Sequence, residues 1–152
     1  MTIPSRTAQP GTYFVTTACS DRRRLFQVER NAQLFLDTLV HYREHYLLHA
    51  FVVMPDHVHL LLTPQGITLE RVMQFLKGGF SHRLGSKFPV WQRGFTDHRI
   101  RDHEDYETRL RYIHENPVGV HLADVADGYP YSSAAGQIQL DGYKAFNSNS
   151  IN

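Results

Sequence analysis

Two apolar runs separated by three residues constrain the fold of this chain most strongly. The first run covers 47–53 and the second covers 57–62, with Met54, Pro55 and Asp56 between them. A connection this short joins antiparallel neighbours, so we predict a β-hairpin. Side chains two apart on a strand point the same way, so His57 and His59 should project from one face beside the turn.

Two imidazoles on one face can share a metal ion, since imidazole nitrogen is a good ligand for divalent transition metals. His57-Val58-His59 is equally consistent with a simpler interpretation. One histidine would then be a hydrogen-bonded core residue and the other a polar group at the strand end. The motif alone leaves both interpretations open.

A helix is predicted over 102–117, about fifty residues downstream. Asp102 can cap its start, and Pro117 is expected to close it. At about 100° per residue, Tyr106, Leu110 and Ile113 fall within a stripe about 60° wide, which should be the buried face.

Tyr112 lies about 130° from the centre of that stripe, on a polar flank of the same helix. Asn116 follows one helical turn later and shares this flank. Helical phase therefore separates Tyr106, which should be buried, from Tyr112, which should be accessible.

Several motifs carry a resemblance to a known family. The first is MPDHVHLLL at 54–62, the second is WQRGF at 91–95 together with DHRIR at 97–101, and the third is Tyr112-Ile113 with Asn116-Pro117-Val118. In this order they resemble the single-tyrosine HUH transposases, and specifically the REP-associated tyrosine transposases. The similarity covers about residues 10–133, and three ordered motifs are far more specific than His-x-His alone.

The resemblance implies a chemistry for these residues. The family's nucleophile corresponds to Tyr112 and its metal ligands to His57, His59 and Asn116, with magnesium or manganese as the cofactor. Cleavage would leave a covalent 5′-phosphotyrosine and a free 3′-hydroxyl. A phenol with a pKa of about 10 is a weak nucleophile at neutral pH, so help from a metal is chemically reasonable. Two imidazoles and an amide oxygen would by affinity suit manganese, cobalt or zinc better than magnesium.

The order of elements predicts an α+β fold. We expect a strand at 12–17, a helix at 30–45, the hairpin, a helix capped by Thr68 and weakened at Gly78-Gly79, and a strand at 95–101 before the tyrosine helix. This order predicts an antiparallel sheet with helices packed on one face, and the resemblance implies the same ferredoxin-like arrangement. Residues 1–152 should form one domain, with a docked turn at 129–133 and about ten disordered residues at the end.

Basic residues indicate where DNA could bind, although the net charge is only +1. Each cluster taken alone is more often a solvated surface, so we treat the set as a weak prediction. The resemblance implies single-stranded or hairpin DNA as the partner, bound by a monomer or a homodimer. The candidate DNA-binding residues are Arg22, Lys77, Arg83, Arg93, Arg99 and Arg101.

The single cysteine, Cys19, excludes an internal disulfide, and no apolar run is long enough to span a membrane. A cytoplasmic location is therefore expected. Two other histidines keep open roles. His98 suits either the site or a sheet edge, and the loop register leaves the side on which His49 lies undecided.

The sequence is also consistent with two other functions. A non-catalytic ferredoxin-like module could bind nucleic acid through the sheet aromatics Tyr13, Phe14 and Phe51, with the two histidines structural. A small metal-dependent hydrolase is the other. Histidine-triad phosphoesterases would need a further histidine where Leu61 stands.

Overall fold

The computed structural model of the protein describes residues 9–144. Within these residues the strands and long helices follow in the order β1 (Tyr13–Ala18), α1 (Glu29–His41), β2 (Tyr46–Val53), β3 (His57–Pro64), α2 (Leu69–Leu84), β4 (Thr96–Arg99) and α3 (His103–Gly119). All the predicted elements are present. The largest difference in bounds is at α1, which ends at His41 and is followed by a separate 3-10 turn over Arg43–His45.

The strands form one sheet in the order β2-β3-β1-β4, with every neighbouring pair antiparallel. The βαββαβ sequence with β1 and β3 at the centre is the ferredoxin-like arrangement, so the predicted α+β class is confirmed. Strand β1 runs beside β3 so that Thr16 pairs with His59 and Ala18 with His57. The two histidines therefore sit on a central strand, where both neighbours restrain them.

Helices α1 and α2 cover one face of the sheet. Their apolar side chains form a large core with Val15, Phe51 and Leu60 from the sheet. An aromatic cluster closes the end of this core where the 88–95 loop crosses it, with ring centroids 5.3 to 5.9 Å apart. It consists of Phe26, Phe35, Phe80 and Trp91.

Helices α1 and α2 share one face, as the order of strand, helix, hairpin, helix and strand predicts, and α3 packs on the opposite face. Tyr106 and Ile113 of α3 form a second core with Ala50 and Leu61 of the sheet. The physical reason is visible in β2 and β3, which are buried along almost their whole length on both faces. A strand with continuous apolar sequence needs cover on both sides. As a result, α3 lies over the face that carries His57 and His59.

The start of α3 was predicted correctly and its end was not. The Asp102 carboxylate accepts a hydrogen bond from the Asp105 amide at 2.8 Å, which is an N-cap. Pro117 lies inside the helix, which continues to Gly119. Proline has a helix-compatible φ, and because Pro117 stands in the last turn, its missing hydrogen bond and the crowding of its ring against the preceding turn do not end the helix.

The segment after α3 docks along the sheet. The amide of Val53 donates to the Tyr131 carbonyl at 2.8 Å, and the Tyr129 hydroxyl donates to the Val53 carbonyl at 2.6 Å. The predicted docked turn at 129–133 is therefore confirmed. Further along, the Tyr143 ring stacks on Tyr106 with centroids 3.9 Å apart. The prediction of a disordered end falls largely on 145–152, outside the described residues. None of the helices within 9–144 combines the length and the apolar character needed to cross a bilayer.

Candidate active site

His57 and His59 converge at the start of β3. Their Nε2 atoms lie 3.2 Å apart, so both side chains project to the same side of the sheet as the two-residue period predicts. The other ring nitrogens are held in place. Nδ1 of His57 lies 2.7 Å from an Asp56 carboxylate oxygen, and Nδ1 of His59 lies 2.8 Å from the Thr16 hydroxyl. Fixing Nδ1 directs each Nε2 toward the same point.

Burial controls the charge of His59. His59 is only 5% exposed, and desolvation lowers its pKa to about 3, with smaller contributions from His57 and Arg22. Burial raises the pKa of Asp56, but the hydrogen bond and charge of His57, together with Arg22, hold it below its ordinary value. At neutral pH the site thus combines a neutral His59 with an ionised carboxylate behind His57, and a neutral imidazole is the form that binds metals.

Helix α3 brings Tyr112 to the histidines of its own chain. The Tyr112 ring centroid lies 5.3 Å from that of His59, and the ring remains 49% exposed. Tyr106 is 8% exposed, and burial, followed by Glu107 and Tyr143, raises its pKa. The predicted division between a buried and an accessible tyrosine is present in the structure.

Asn116 lies one turn after Tyr112 on the same helix and is partly buried. Among residues 9–144, no third His, Cys, Asp or Glu joins the two histidines in a metal-binding cluster. A third protein ligand would therefore have to be of another type, such as the Asn116 amide oxygen. Metal binding by His57, His59 and Asn116 remains a prediction.

Comparison with known proteins identifies the family. Residues 10–116 match the family model described as "Transposase IS200 like", a span that includes both histidines, Tyr112 and Asn116. The chain belongs to the IS200-like transposase family.

Named relatives of this IS200-like transposase agree with the match. A REP-associated tyrosine transposase of Escherichia coli strain K12 is 29% identical over 126 residues, which cover 81% of this chain and 76% of the relative. A Haemophilus influenzae protein assigned to the same group is 29% identical over 151 residues, with coverage of 88% and 85%. The solved structure of a REP-associated tyrosine transposase bound to a REP hairpin superposes with a TM-score of 0.75 at 26% identity, covering 99% of this chain and 96% of that one. The chain is thus an enzyme of the tyrosine transposase class.

Sequence reasoning missed how Phe14 connects the parts of the site. Its ring stacks on His59 with centroids 5.3 Å apart, meets the edge of Tyr112 at 5.9 Å, and lies 5.1 Å from the guanidinium carbon of Arg109. The available signals were indirect. Phe14 has the strand parity of Thr16, and Arg109 precedes Tyr112 by three residues, but only the fold brings β1 and α3 together.

The predicted DNA-binding residues do not form one group. Arg22 lies closest to the histidines, since its Nε is 3.4 Å from Asp56. Arg93 is exposed on the loop before β4. The backbone amide of its neighbour Gln92 donates to the carbonyl of Ala18 at the end of β1. Arg83 is exposed on α2, in the helix layer across the sheet.

Lys77 and Arg99 hydrogen-bond to backbone carbonyls. The Lys77 ammonium donates to the carbonyls of Gln92 and Gly94, and burial lowers its pKa. Arg99 donates to the Pro10 carbonyl, whereas the side chain of Arg101 is 79% exposed. DNA contact by any of the six remains a prediction.

The non-catalytic interpretation fails on its own residues. Tyr13 and Phe51 are each 1% exposed and Phe14 is 9% exposed, so these sheet aromatics are packed under helices and cannot stack on bases. His98 also has a defined place. It faces α3 and lies 2.8 Å from the buried carboxylate of Asp105. His49 is buried, with Nε2 2.8 Å from the Thr63 hydroxyl, and it takes no part in the histidine pair.

Proposed function

We propose that this transposase is a metal-dependent endonuclease and strand transferase of single-stranded DNA, with Tyr112 as its nucleophile. The observation that carries the proposal is the position of Tyr112 over His59, whose Nε2 converges with that of His57. An accessible phenol beside two converging imidazoles on a rigid sheet is an arrangement suited to attack on a phosphate held at that point.

The donor set fits a divalent ion. Two nitrogen ligands of one ion, each about 2.1 Å from it, lie about 3 Å apart, and the two Nε2 atoms are separated by 3.2 Å. His57, His59 and Asn116 would hold magnesium or manganese, and Asp56 and Thr16 orient the imidazoles as partners of their Nδ1 atoms. When bound, such an ion neutralises charge on a non-bridging phosphate oxygen.

Tyr112 then attacks phosphorus through its phenolic oxygen. A new O–P bond forms to tyrosine while the bond from phosphorus to the 3′ oxygen breaks. The phenolic proton passes to solvent, to which Tyr112 is open, and the departing 3′ oxygen takes a proton to become a hydroxyl. The product is a 5′-phosphotyrosine ester, which a second 3′-hydroxyl can attack in the reverse sense, so strand transfer needs no nucleotide cofactor.

The proposed substrate is a hairpin with a single-stranded arm. Support comes from the solved relative that is bound to a REP hairpin. It also comes from the reaction, since a flexible strand can be drawn in line with Tyr112 more cheaply than a paired one. Because α3 packs against the sheet of its own chain, a monomer contains the complete set of residues.

The test uses a library of randomised hairpins with single-stranded arms, labelled at the 3′ end. The protein is incubated with the library and manganese, and the products are separated on a denaturing gel. We expect a labelled band at the mass of the protein plus a DNA fragment, which is lost when EDTA is added. Cleavage without any covalent band would show that water rather than Tyr112 attacks, and it would overturn the proposal.

A further inference from the structure

A guanidinium donor beside the nucleophile is left without an acceptor. Among the described residues, Nε of Arg109 is one of two buried side-chain nitrogen or oxygen atoms with no hydrogen-bond partner; the other is the Thr17 hydroxyl. A buried donor without a partner costs about 1–3 kcal/mol, so its retention calls for a reason. The guanidinium lies over the Phe14 ring, 5.1 Å from its centroid.

The carboxylate of Asp105 forms an ion pair with Arg109 but accepts no hydrogen bond from its Nε. An oxygen of Asp105 lies 3.6 Å from Arg109 Nε, too far for a hydrogen bond. The other Asp105 oxygen already accepts from the Arg101 amide at 2.9 Å and lies 2.8 Å from His98 Nε2. Asp105 therefore supplies a fixed negative charge beside the buried Nε, while the Arg109 side chain keeps 35% of its surface exposed.

Arg109 and Tyr112 flank the same ring. They are three residues apart on α3, which places them on adjacent turns of one helix surface. Phe14 contacts Arg109, Tyr112 and His59. Arg109, Tyr112 and His59 are thus grouped around one aromatic ring.

We infer that Arg109 forms a phosphate-oxyanion subsite of the Tyr112 active site, an inference that rests on the proposed function. Its fork of donors would bind the non-bridging oxygen that does not face His57 and His59. Arg109 transfers no proton, because guanidinium stays protonated. It stabilises the negative charge that builds on that oxygen as the O–P bond to Tyr112 forms and the bond to the 3′ oxygen breaks. Asp105 and His98 position the guanidinium of Arg109.

The test combines a variant with a modified substrate. The best hairpin from the library is prepared with a normal scissile phosphodiester and with each stereoisomer of a methylphosphonate, in which a neutral methyl group replaces one non-bridging oxygen. Single-turnover rates of adduct formation are measured for wild type, Arg109→Ala and Arg109→Lys. Arg111→Ala is the matched control, since Arg111 is an exposed arginine on the same helix.

We expect Arg109→Ala to slow adduct formation on the phosphodiester about a hundredfold and Arg111→Ala to leave it unchanged. For one methylphosphonate stereoisomer, the wild-type rate should fall by a similar factor relative to the phosphodiester. On that stereoisomer Arg109→Ala should react little more slowly than wild type, because the oxygen that Arg109 would bind is already absent. The ratio of rates within one variant cancels any loss of folded protein. Arg109→Lys should be intermediate, since it keeps the charge without the fork.

Two negative outcomes have different meanings. If wild type forms no adduct on the phosphodiester, the proposed function fails. If wild type reacts but the penalties of Arg109→Ala and of each methylphosphonate simply multiply, Arg109 does not contact the phosphate, and the subsite is overturned while Tyr112 chemistry stands.

Discussion

At the scale of single residues, the two tyrosines of α3 differ in role because they differ in phase. Tyr106 packs against Tyr143 in the second core, whereas Tyr112 is half-exposed beside His59. Only Tyr112 can present its hydroxyl to a phosphate that approaches the histidines. The distinction follows from helical period alone, which is why the sequence was sufficient to make it.

The first prediction compares the same small change at both tyrosines. Tyr112→Phe removes only the attacking oxygen, so it should abolish the covalent band while hairpin affinity stays largely unchanged. Tyr106→Phe should still form the band. Denaturing gels report the adduct, and a gel-shift titration with the same hairpin reports affinity. Exchanged phenotypes would contradict both the phase argument and the proposed nucleophile.

The second prediction concerns the buried carboxylate of Asp105. Burial raises its pKa, but the Arg101 amide, the His98 hydrogen bond and the charges of both residues outweigh it and hold the pKa below its usual value. A depressed carboxyl pKa adds stability that is complete above the unfolded value of about 3.9 and is lost as the pH falls through the folded value.

Asp105→Asn should therefore lower the free energy of unfolding by about 2 kcal/mol at pH 7, and by less below pH 4. Urea unfolding of both proteins across this pH range measures the difference. Asp124→Asn, at an exposed position after α3, is the control and should show no such trend. A difference that is constant with pH would indicate that the ionised carboxylate is not what stabilises α3.

At the scale of elements, α2 makes one close contact at its two glycines. The sequence predicted a weak point at Gly78-Gly79, yet the helix runs unbroken to Leu84. A Cβ built on Gly79 would lie 2.6 Å from the Tyr42 ring, which stacks on Phe75, whereas a Cβ on Gly78 meets nothing within 4 Å. The pair therefore contains one glycine required for packing and one that is not.

The third prediction uses this difference. Gly79→Ala should destabilise the protein by about 1–3 kcal/mol, because the Tyr42 ring must leave its stack on Phe75. Gly78→Ala should stabilise it by up to about 1 kcal/mol through helix propensity. Thermal unfolding of the two variants measures both. Equal effects of the same sign would mean that helix propensity, not the contact with Tyr42, governs this segment.

Element by element, local patterns in the sequence predicted more than tertiary relations did. The hairpin, the common face of His57 and His59, and the phase of Tyr112 each follow from a period of 2 or 3.6 residues. The side of the sheet that α3 covers was not predicted, although β2 and β3 carried the signal in apolar runs that are continuous rather than alternating. The contact of Phe14 with Arg109 joins residues 95 positions apart, and no local period encodes such a contact.

At the scale of the whole molecule, the two layers of helices have separate tasks. Helices α1 and α2 bury one face of the sheet and hold the histidine strand from behind. Helix α3 buries the other face and carries Tyr112, Asn116 and Arg109 to it. The docked segment after α3 supports this placement from the side, since Tyr143 stacks on Tyr106 and the amide of Asp141 donates to the Leu48 carbonyl at the sheet edge.

This division leads to the last prediction, that Tyr112 acts on a phosphate held by the histidines of its own chain. Only three residues separate β4 from α3, and Tyr106 and Ile113 anchor the helix in the second core, so an exchange between two chains would have to break these contacts before equivalent ones form in the partner. A mixture of His57→Ala and Tyr112→Phe should therefore form no adduct, because each chain lacks one half of the site. Recovery of the covalent band in the mixture, with a dimer seen by light scattering, would show that α3 is exchanged.

A tethered pair of the two variants tests the same point at high effective concentration, where weak association no longer limits exchange. We expect it to remain inactive while a tethered pair with one wild-type copy reacts.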